Sequence, residues 1–342
     1  MIRKLAWKKF YRKFYLTTDR IHNKIKNRLL IDTNIYKLVC SFLGSSVVEQ
    51  TAVNRSVAGS NPARGATFLF DHLIMLICWN LNSIFSRLEH LKKVIKQNNP
   101  SILLLQETKC ISAKFPHEEL EDLGYNIEVF GQKTYNGVAI LSKYPIEDIT
   151  MGLEQSKVNQ DARYIEATVA VNGTCYKIIS VYVPNGGEID SEKFRYKLEF
   201  FESLYKRLDY LKNMEKNIIV GGDFNVAPEE IDVYDPKQRC GKILFHIDER
   251  KWFRRILNLD YIDTFGEFNP DVQQFSWWDY RAGSWQHNKG MRIDHILVSP
   301  AVADKITQTG VLTEPRGWKK PSDHAPIYIK VVGKPTIVNC AN

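Results

Sequence analysis

The 342 residues, 44% hydrophobic and 25% charged, suffice for two domains or for one large domain with an extension, and they exclude a collagen-like or broadly disordered chain. Six cysteines (Cys40, Cys78, Cys110, Cys175, Cys240 and Cys340) are scattered without a CxxC pair, which argues against a zinc site and a secreted disulfide framework and makes a reducing cytoplasm the expected compartment. The net charge of +8 invites a phosphate-binding reading, but residues 1–74 hold 13 Lys and Arg against 4 Asp and Glu, leaving 34 against 35 elsewhere, so global charge says nothing about what the main body binds.

The first forty residues mix Lys and Arg with Trp, Phe, Tyr and Leu. Two readings compete for them: a basic amphipathic helix for a membrane or for targeting, and a segment that is not native to the protein. The second is favoured by Gly44 to Ala66, which resembles the conceptual translation of a tRNA gene, with Gly-Ser-Asn-Pro at Gly59 to Pro62 where a T-arm would be read in frame. Residues 1–74 are therefore expected to be a non-native or disordered extension, and 75–342 a single domain starting at an initiator Met75. No apolar run reaches the length of a membrane span, since the longest oily stretch, Phe68 to Trp79, is broken by Asp71 and His72.

From Met75 the pattern becomes regular. Leu76 to Trp79 predicts a buried strand, Leu88, Leu91, Val94 and Ile95 one face of a helix ending before Pro100, and Ile102 to Leu105 a strand that delivers Gln106 and Glu107 at its end. Gly137 to Leu141 reads as another strand. Tyr164 to Val171 and Thr174 to Val183, joined by Asn172-Gly173, read as a hairpin and require antiparallel pairing. Apolar residues from Phe194 to Leu211 recur at helical spacing, Ile218 to Val220 forms a strand leading into Gly221-Gly222-Asp223, and further strands are expected at Arg292 to Val298 and Ile327 to Val332. With no repeat or low-complexity linker after Met75, the expectation is one compact α/β domain.

Five segments place an acidic or amide residue where a strand ends: WNLNS with Asn80 and Asn82, LLQET with Glu107, GGDFN with Asp223 and Asn225, RIDHIL with Asp294, and PSDHAP with Asp323 and His324. Strand ends of α/β sheets are where ligand sites gather, and carboxylates with amide oxygens suit Mg²⁺, which most often works beside phosphate. Singly, each segment is more readily a turn or a cap. Asp223 and Asn225 lie two apart, so on an extended segment both side chains would face one way, a carboxylate to deprotonate water beside an amide to donate to phosphate.

Together, WNLNS, LLQET, GVAILS, VYVPNG, GGDFNVAP, FSWWDYR, GMRIDHILVS and SDHAP, in this order from Leu76 to Val332, resemble the exodeoxyribonuclease III and AP endonuclease branch of the endonuclease, exonuclease and phosphatase superfamily. That resemblance implies a two-sheet α/β sandwich of mixed sheets flanked by helices, with the site at one edge between the sheets. It implies a metal site drawn from Asn80, Glu107, Asp223, Asn225, Asp323 and His324, with Glu107 the main ligand and Mg²⁺, or Mn²⁺ as an alternative, the ion. Asp323 would join the ligands or orient His324. Asp223 would be the acid/base for the attacking water, Asp294 the partner of His324, and Tyr182 a neighbour of the phosphate. Asn136, Arg163 and Arg292 are lesser candidates for phosphate contact. Some relatives carry Gly where Ser83 stands, which puts the backbone of WNLNS in question.

Superfamily members act on several phosphodiesters, so the catalytic motifs do not name a substrate. The aromatic segment Phe275 to Trp285 resembles the family loop that packs on an extruded abasic sugar, with Trp277 at the best matching position. The implied partner is double-stranded DNA with abasic sites or 3′ ends, cut by water without a covalent intermediate, by a protein expected to be monomeric and not membrane-bound. Two other classes compete: a catalytically silent DNA-binding module, which would have lost one of Glu107, Asp223, Asn225, Asp323 or His324, and a membrane-lipid phosphodiesterase, which would have no use for the Trp-rich segment.

Overall fold

The computed structural model describes residues 73–153 and 161–333. Apart from Leu73 and Ile74, the extension expected over 1–74 lies outside the described residues, as do Cys40 and Cys340.

Two six-stranded mixed sheets face each other. The first has the order β11-β12-β1-β2-β4-β3 and the second β5-β6-β7-β8-β10-β9. The first sheet comprises β1 (Leu73–Asn80), β2 (Ile102–Gln106), β3 (Asn126–Phe130), β4 (Val138–Ser142), β11 (Ile306–Val311) and β12 (Ile327–Val332). The second comprises β5 (Ile146–Met151), β6 (Tyr164–Val171), β7 (Thr174–Tyr182), β8 (Ile218–Asp223), β9 (Ile262–Asp263) and β10 (Asp294–Val298).

Each sheet contains one parallel pair, and each such pair needs a long crossover. Between β1 and β2 this is α1 (Ile84–Asn98), which ends at Asn99 in the left-handed conformation, one residue before Pro100. Between β7 and β8 it is α2 (Glu192–Met214), capped by Ser191 accepting from the Phe194 N–H. The hairpin of β6 and β7 turns at Asn172 (φ 50°) and Gly173 (φ 72°), the left-handed pair that a two-residue hairpin requires.

The central core lies between the sheets, where Leu76, Cys78, Leu104 and Ile140 of the first meet Ile165, Ile178, Ile219 and Ile296 of the second. The outer face of the first sheet is covered by Leu91, Val94 and Ile95 of α1. The outer face of the second is covered by α2 through Phe200, Phe201, Leu204 and Leu208, with α3 (Ile247–Leu257) adding Phe253 and Ile256. Each such side chain contributes on the order of 1.5–3 kcal/mol by leaving water. The four layers agree with the expected two-sheet sandwich.

Two glycines set how closely β8 approaches its neighbours. A Cβ on Gly221 would come within 2.6 Å of Leu104 Cδ1 in the facing sheet, and one on Gly222 within 2.0 Å of the Val181 carbonyl oxygen on β7. The strand expected at Ile218 to Val220 continues through Gly221 and Gly222, and Asp223 is its last residue.

Candidate active site

At one edge of the sandwich both sheets deliver polar residues at strand ends. From the first sheet come Asn80 at the end of β1, Glu107 just beyond β2, and Asp323 and His324 ahead of β12. From the second come Tyr182 at the end of β7, Asp223 at the end of β8, and Asp294 at the start of antiparallel β10, directly opposite Asp223 in the register. Tyr182 also pairs with Asp223 across β7 and β8.

The centre of the site is a line of buried groups. Ser276 Oγ donates to Asp294 Oδ2 at 2.6 Å, the Asp294 carboxylate faces His324 Nδ1 at 2.8 Å, and His324 Nε2 lies 3.7 Å from Asp223 Oδ2. Burial alone would lower the His324 pKa, but the adjoining Asp294 and Asp223 charges outweigh it and hold the imidazole up to about 10. Burial likewise pushes Asp223 up to about 7, with Asp294 and Glu107 adding to the rise and His324 opposing it. The imidazole is therefore a cation at neutral pH, and Asp223 is poised near it.

Asn80 lies between the carboxylates of Glu107 and Asp223. Its amide nitrogen donates to Glu107 Oε1 at 2.8 Å and to Asp223 Oδ2 at 2.9 Å, while its oxygen accepts from the Asn82 N–H at 3.0 Å. Asn80 thus holds Glu107 and Asp223 apart, and its oxygen keeps a second lone pair. Glu107, Asp223 and His324 each offer an atom, all lying within 4.8 Å of one another. Two of the three are carboxylates, Glu107 and Asp223. Those hard oxygen donors fit Mg²⁺ or Mn²⁺, and the residues present are compatible with such an ion.

Asp323 is not part of this cluster. Its carboxylate accepts from Asn82 Nδ2 at 2.9 Å and from Trp277 Nε1 at 3.0 Å, which ties the aromatic segment to the WNLNS turn. Trp277 is half-buried and bridges to His324 through the backbone, whereas Phe275 and Trp278 are buried and belong to the core.

Asn225 differs from the extended geometry read from its spacing. It adopts φ 49°, and its N–H donates to Asp223 Oδ1 at 2.9 Å, so a tight turn brings the two side chains to the site, not strand alternation. Its amide nitrogen donates to the Val183 carbonyl and its oxygen accepts from Asn185. Each group is engaged once, so Asn225 keeps one amide N–H and one oxygen lone pair to offer the site.

Arg163 stacks over the Tyr182 ring at 4.6 Å and is anchored to Asp161. Asn136 is buried, its amide donating to Gln132 Oε1 while its carbonyl accepts from the Lys109 N–H, and so it braces the turn after Glu107. Arg292 corrects the sequence reading. It precedes β10 and is buried with Asp232, at 2.6 Å, and Asp263, at 2.7 Å, so its guanidinium is committed to an internal ion network and is not free to meet a phosphate.

Three supporting residues went unnoticed in sequence. Lys109 pairs with Glu107 Oε2 at 2.8 Å and also reaches Asn82, Ser276 orients Asp294, and Asn185 bonds Asn225. Each lies within two residues of, or inside, a motif already singled out, so motif proximity was the available signal. Ser83, the departure noted in WNLNS, has φ 101°, a backbone that suits glycine.

A family model described as the Endonuclease/Exonuclease/phosphatase family matches residues 77–324. Exodeoxyribonuclease III of Haemophilus influenzae is 34% identical over 260 residues, covering 74% of this chain and 97% of that protein. Among solved structures, the 3′-5′ exonuclease NExo of Neisseria meningitidis is 37% identical with a TM-score of 0.73, covering 76% of this chain and all of that one. An AP endonuclease from Archaeoglobus fulgidus is 36% identical with a TM-score of 0.71, covering 75% and 98% respectively. The chain therefore belongs to the Endonuclease/Exonuclease/phosphatase family, in its exodeoxyribonuclease III and AP endonuclease branch.

Proposed function

We propose that this chain is a Mg²⁺-dependent DNA-repair nuclease that hydrolyses the backbone 5′ to abasic sites and removes nucleotides or blocking groups from the 3′ ends of duplex DNA. The observation that carries this reading is the buried line from Asp294 through His324 to Asp223, with Glu107 beside it. Similar proteins described as an exodeoxyribonuclease III, an AP endonuclease and a 3′ phosphatase supply the substrate class.

Glu107 and Asp223 would hold the ion, whose charge, when bound, polarises a phosphate oxygen. Asp223 accepts the proton of the attacking water as the water oxygen bonds to phosphorus, and the bond to the 3′-oxygen breaks in line. His324, kept cationic by Asp294, stabilises the charge that develops on the phosphate, and the spare Asn225 N–H and the Tyr182 hydroxyl are placed to donate to its oxygens. Asp323 serves as a brace between Trp277 and Asn82. Trp277, half-buried between the buried Phe275 and Trp278, is the wall against which an extruded abasic sugar would pack. The protein would act as a monomer in the cytoplasm. Among the described residues no helix is long and apolar enough to cross a membrane.

The test uses the full chain and a duplex with one synthetic abasic site, with Mg²⁺, with Mn²⁺ or with chelator. Metal-dependent incision on the 5′ side is expected, and no incision in either metal would overturn the reading. Trp277→Ala should slow abasic incision more than digestion of undamaged 3′ ends. Equal losses would return Trp277 to a purely structural role.

A further inference from the structure

Lysine is rarely buried in full, yet Lys197 of α2 has no exposed surface. Its ammonium group donates to the Asn225 carbonyl at 2.6 Å and to the Asn185 carbonyl at 3.1 Å, and it forms an ion pair with Glu249 of α3, which is equally buried. Glu249 also accepts from the Leu244 N–H at 3.2 Å and the His246 N–H at 2.9 Å, and Leu244 in turn accepts from the Ala227 N–H. The Asn185 loop wraps the lysine stem closely, since a Cβ on Gly186 would lie 2.9 Å from Lys197 Cδ. One ion pair thus joins the loop after β7, the loop after β8, the 242–246 turn and the start of α3.

A buried pair of this kind is costly to desolvate, and well-packed apolar residues often hold a core equally well, so stability alone is a weak reason for it. What it does locally is hold two carbonyls whose residues bond each other through their side chains, Asn185 Nδ2 to Asn225 Oδ1 at 3.1 Å. Asn225 is in the left-handed conformation and bonded through its N–H to Asp223. A shift of the Asn225 backbone would move both the amide and the carboxylate that it orients.

We propose that Lys197 and Glu249 form a positioning pair for the reaction, fixing the Asn185 and Asn225 loops from beneath so that the Asn225 amide and Asp223 carboxylate keep their places. Neither touches substrate. The proposal rests on the nuclease reading above, and deepens it by assigning a role to residues outside the catalytic cluster.

The test compares the wild-type chain, Lys197→Met/Glu249→Gln, Asn225→Ala and the combination of all three on the abasic duplex. Removing both charges together leaves no unpaired buried ion, and the new glutamine can still accept from Leu244 or His246. The folded pair variant is expected to lose about ten- to a hundredfold in kcat, with KM within about twofold of wild type. The loss should shrink in the Asn225→Ala background, where the amide is gone while the backbone N–H still orients Asp223, and a general loosening of the fold would not produce that. A pair variant with wild-type kcat, or losses that multiply in full with Asn225→Ala, would overturn the proposal. If the pair variant does not fold, Glu249→Gln alone decides, since it removes the charge that holds Lys197: lowered kcat with unchanged KM supports positioning, and wild-type kcat overturns it. A wild-type chain that fails to cut any DNA would instead overturn the nuclease reading.

Discussion

Burial of Asp223 pushes its carboxyl up to about 7, with Asp294 and Glu107 adding to the rise, so the charged form needed to accept a proton is also the form the fold resists. Because the folded pKa lies above the unfolded value of about 3.9, this group favours folding fully below about pH 4, and that contribution is lost as pH rises through 7. His324, held near 10, acts in the same direction, its contribution present below about 6.5 and lost as pH rises through 10. Asp223→Asn should therefore raise the melting temperature in chelator at pH 8, by a stabilisation on the order of 1–4 kcal/mol, and the gain should disappear near pH 4. The same change should lower kcat by roughly 10²–10⁴-fold while leaving DNA affinity in place. Melting curves at the two pH values and single-turnover kinetics check both halves, and an unchanged rate would remove Asp223 from the chemistry. Ser83 offers a second case. At φ 101° it holds a backbone that costs a side-chain-bearing residue about 1–3 kcal/mol, while its cap to the Ser86 N–H is long at 3.4 Å. Ser83→Gly should stabilise the chain by about 1 kcal/mol, because glycine gives up only a few tenths as a cap. A lowered melting temperature would show that the hydroxyl outweighs the strain.

Strand β8 carries Asp223 to the site, and its glycines let it sit tightly against β7 and the facing sheet. A methyl group on Gly222 would strike a backbone carbonyl, which cannot rotate away, so Gly222→Ala should cost about 3 kcal/mol or more and displace Asp223 as the strand shifts. Differential scanning calorimetry should show a drop of roughly 6–12 °C, and a drop under about 2 °C would mean that the pairing of β7 and β8 is slack. The strands that sequence periodicity identified, such as β1, β2 and the β6–β7 hairpin, are buried and rich in branched apolar residues. Those it missed are partly open or short: β3 and β11 are mostly half-buried, β5 is mostly exposed, and β9 is two residues long. Edge strands of this kind take their structure from pairing, and nothing in their local sequence demands it. The site follows the same division. Glu107, Asp223, Asp294 and His324 were legible because each ends a buried strand or precedes one. The side-chain partner of Asn225 and the burial of Arg292 depend on Asn185, Asp232 and Asp263, far away in sequence.

At the scale of the whole chain, the charge of +8 resides in residues 1–74, while the rest holds 34 basic against 35 acidic residues. The catalytic cluster lies entirely within that nearly neutral remainder, so two electrostatic functions should separate. Long-range, sequence-independent attraction to DNA scales with the number of phosphates neutralised, lowering log K by about 0.9 per contact for each decade of salt. The proposed chemistry depends on the short-range line from Asp294 to Asp223, buried and hence weakly screened. A chain shortened to begin at Ala66, ahead of β1, loses 13 basic and 3 acidic residues. It should bind undamaged duplex with a visibly shallower salt slope than the full chain, yet incise an abasic duplex with the same kcat at saturating substrate. Binding isotherms from 50 to 200 mM salt, roughly the range over which phosphate contacts are most sensitive, together with kcat at each point, separate the two. A collapse of kcat would mean that the extension takes part in the catalytic domain, and an unchanged slope would mean that its charges never reach DNA.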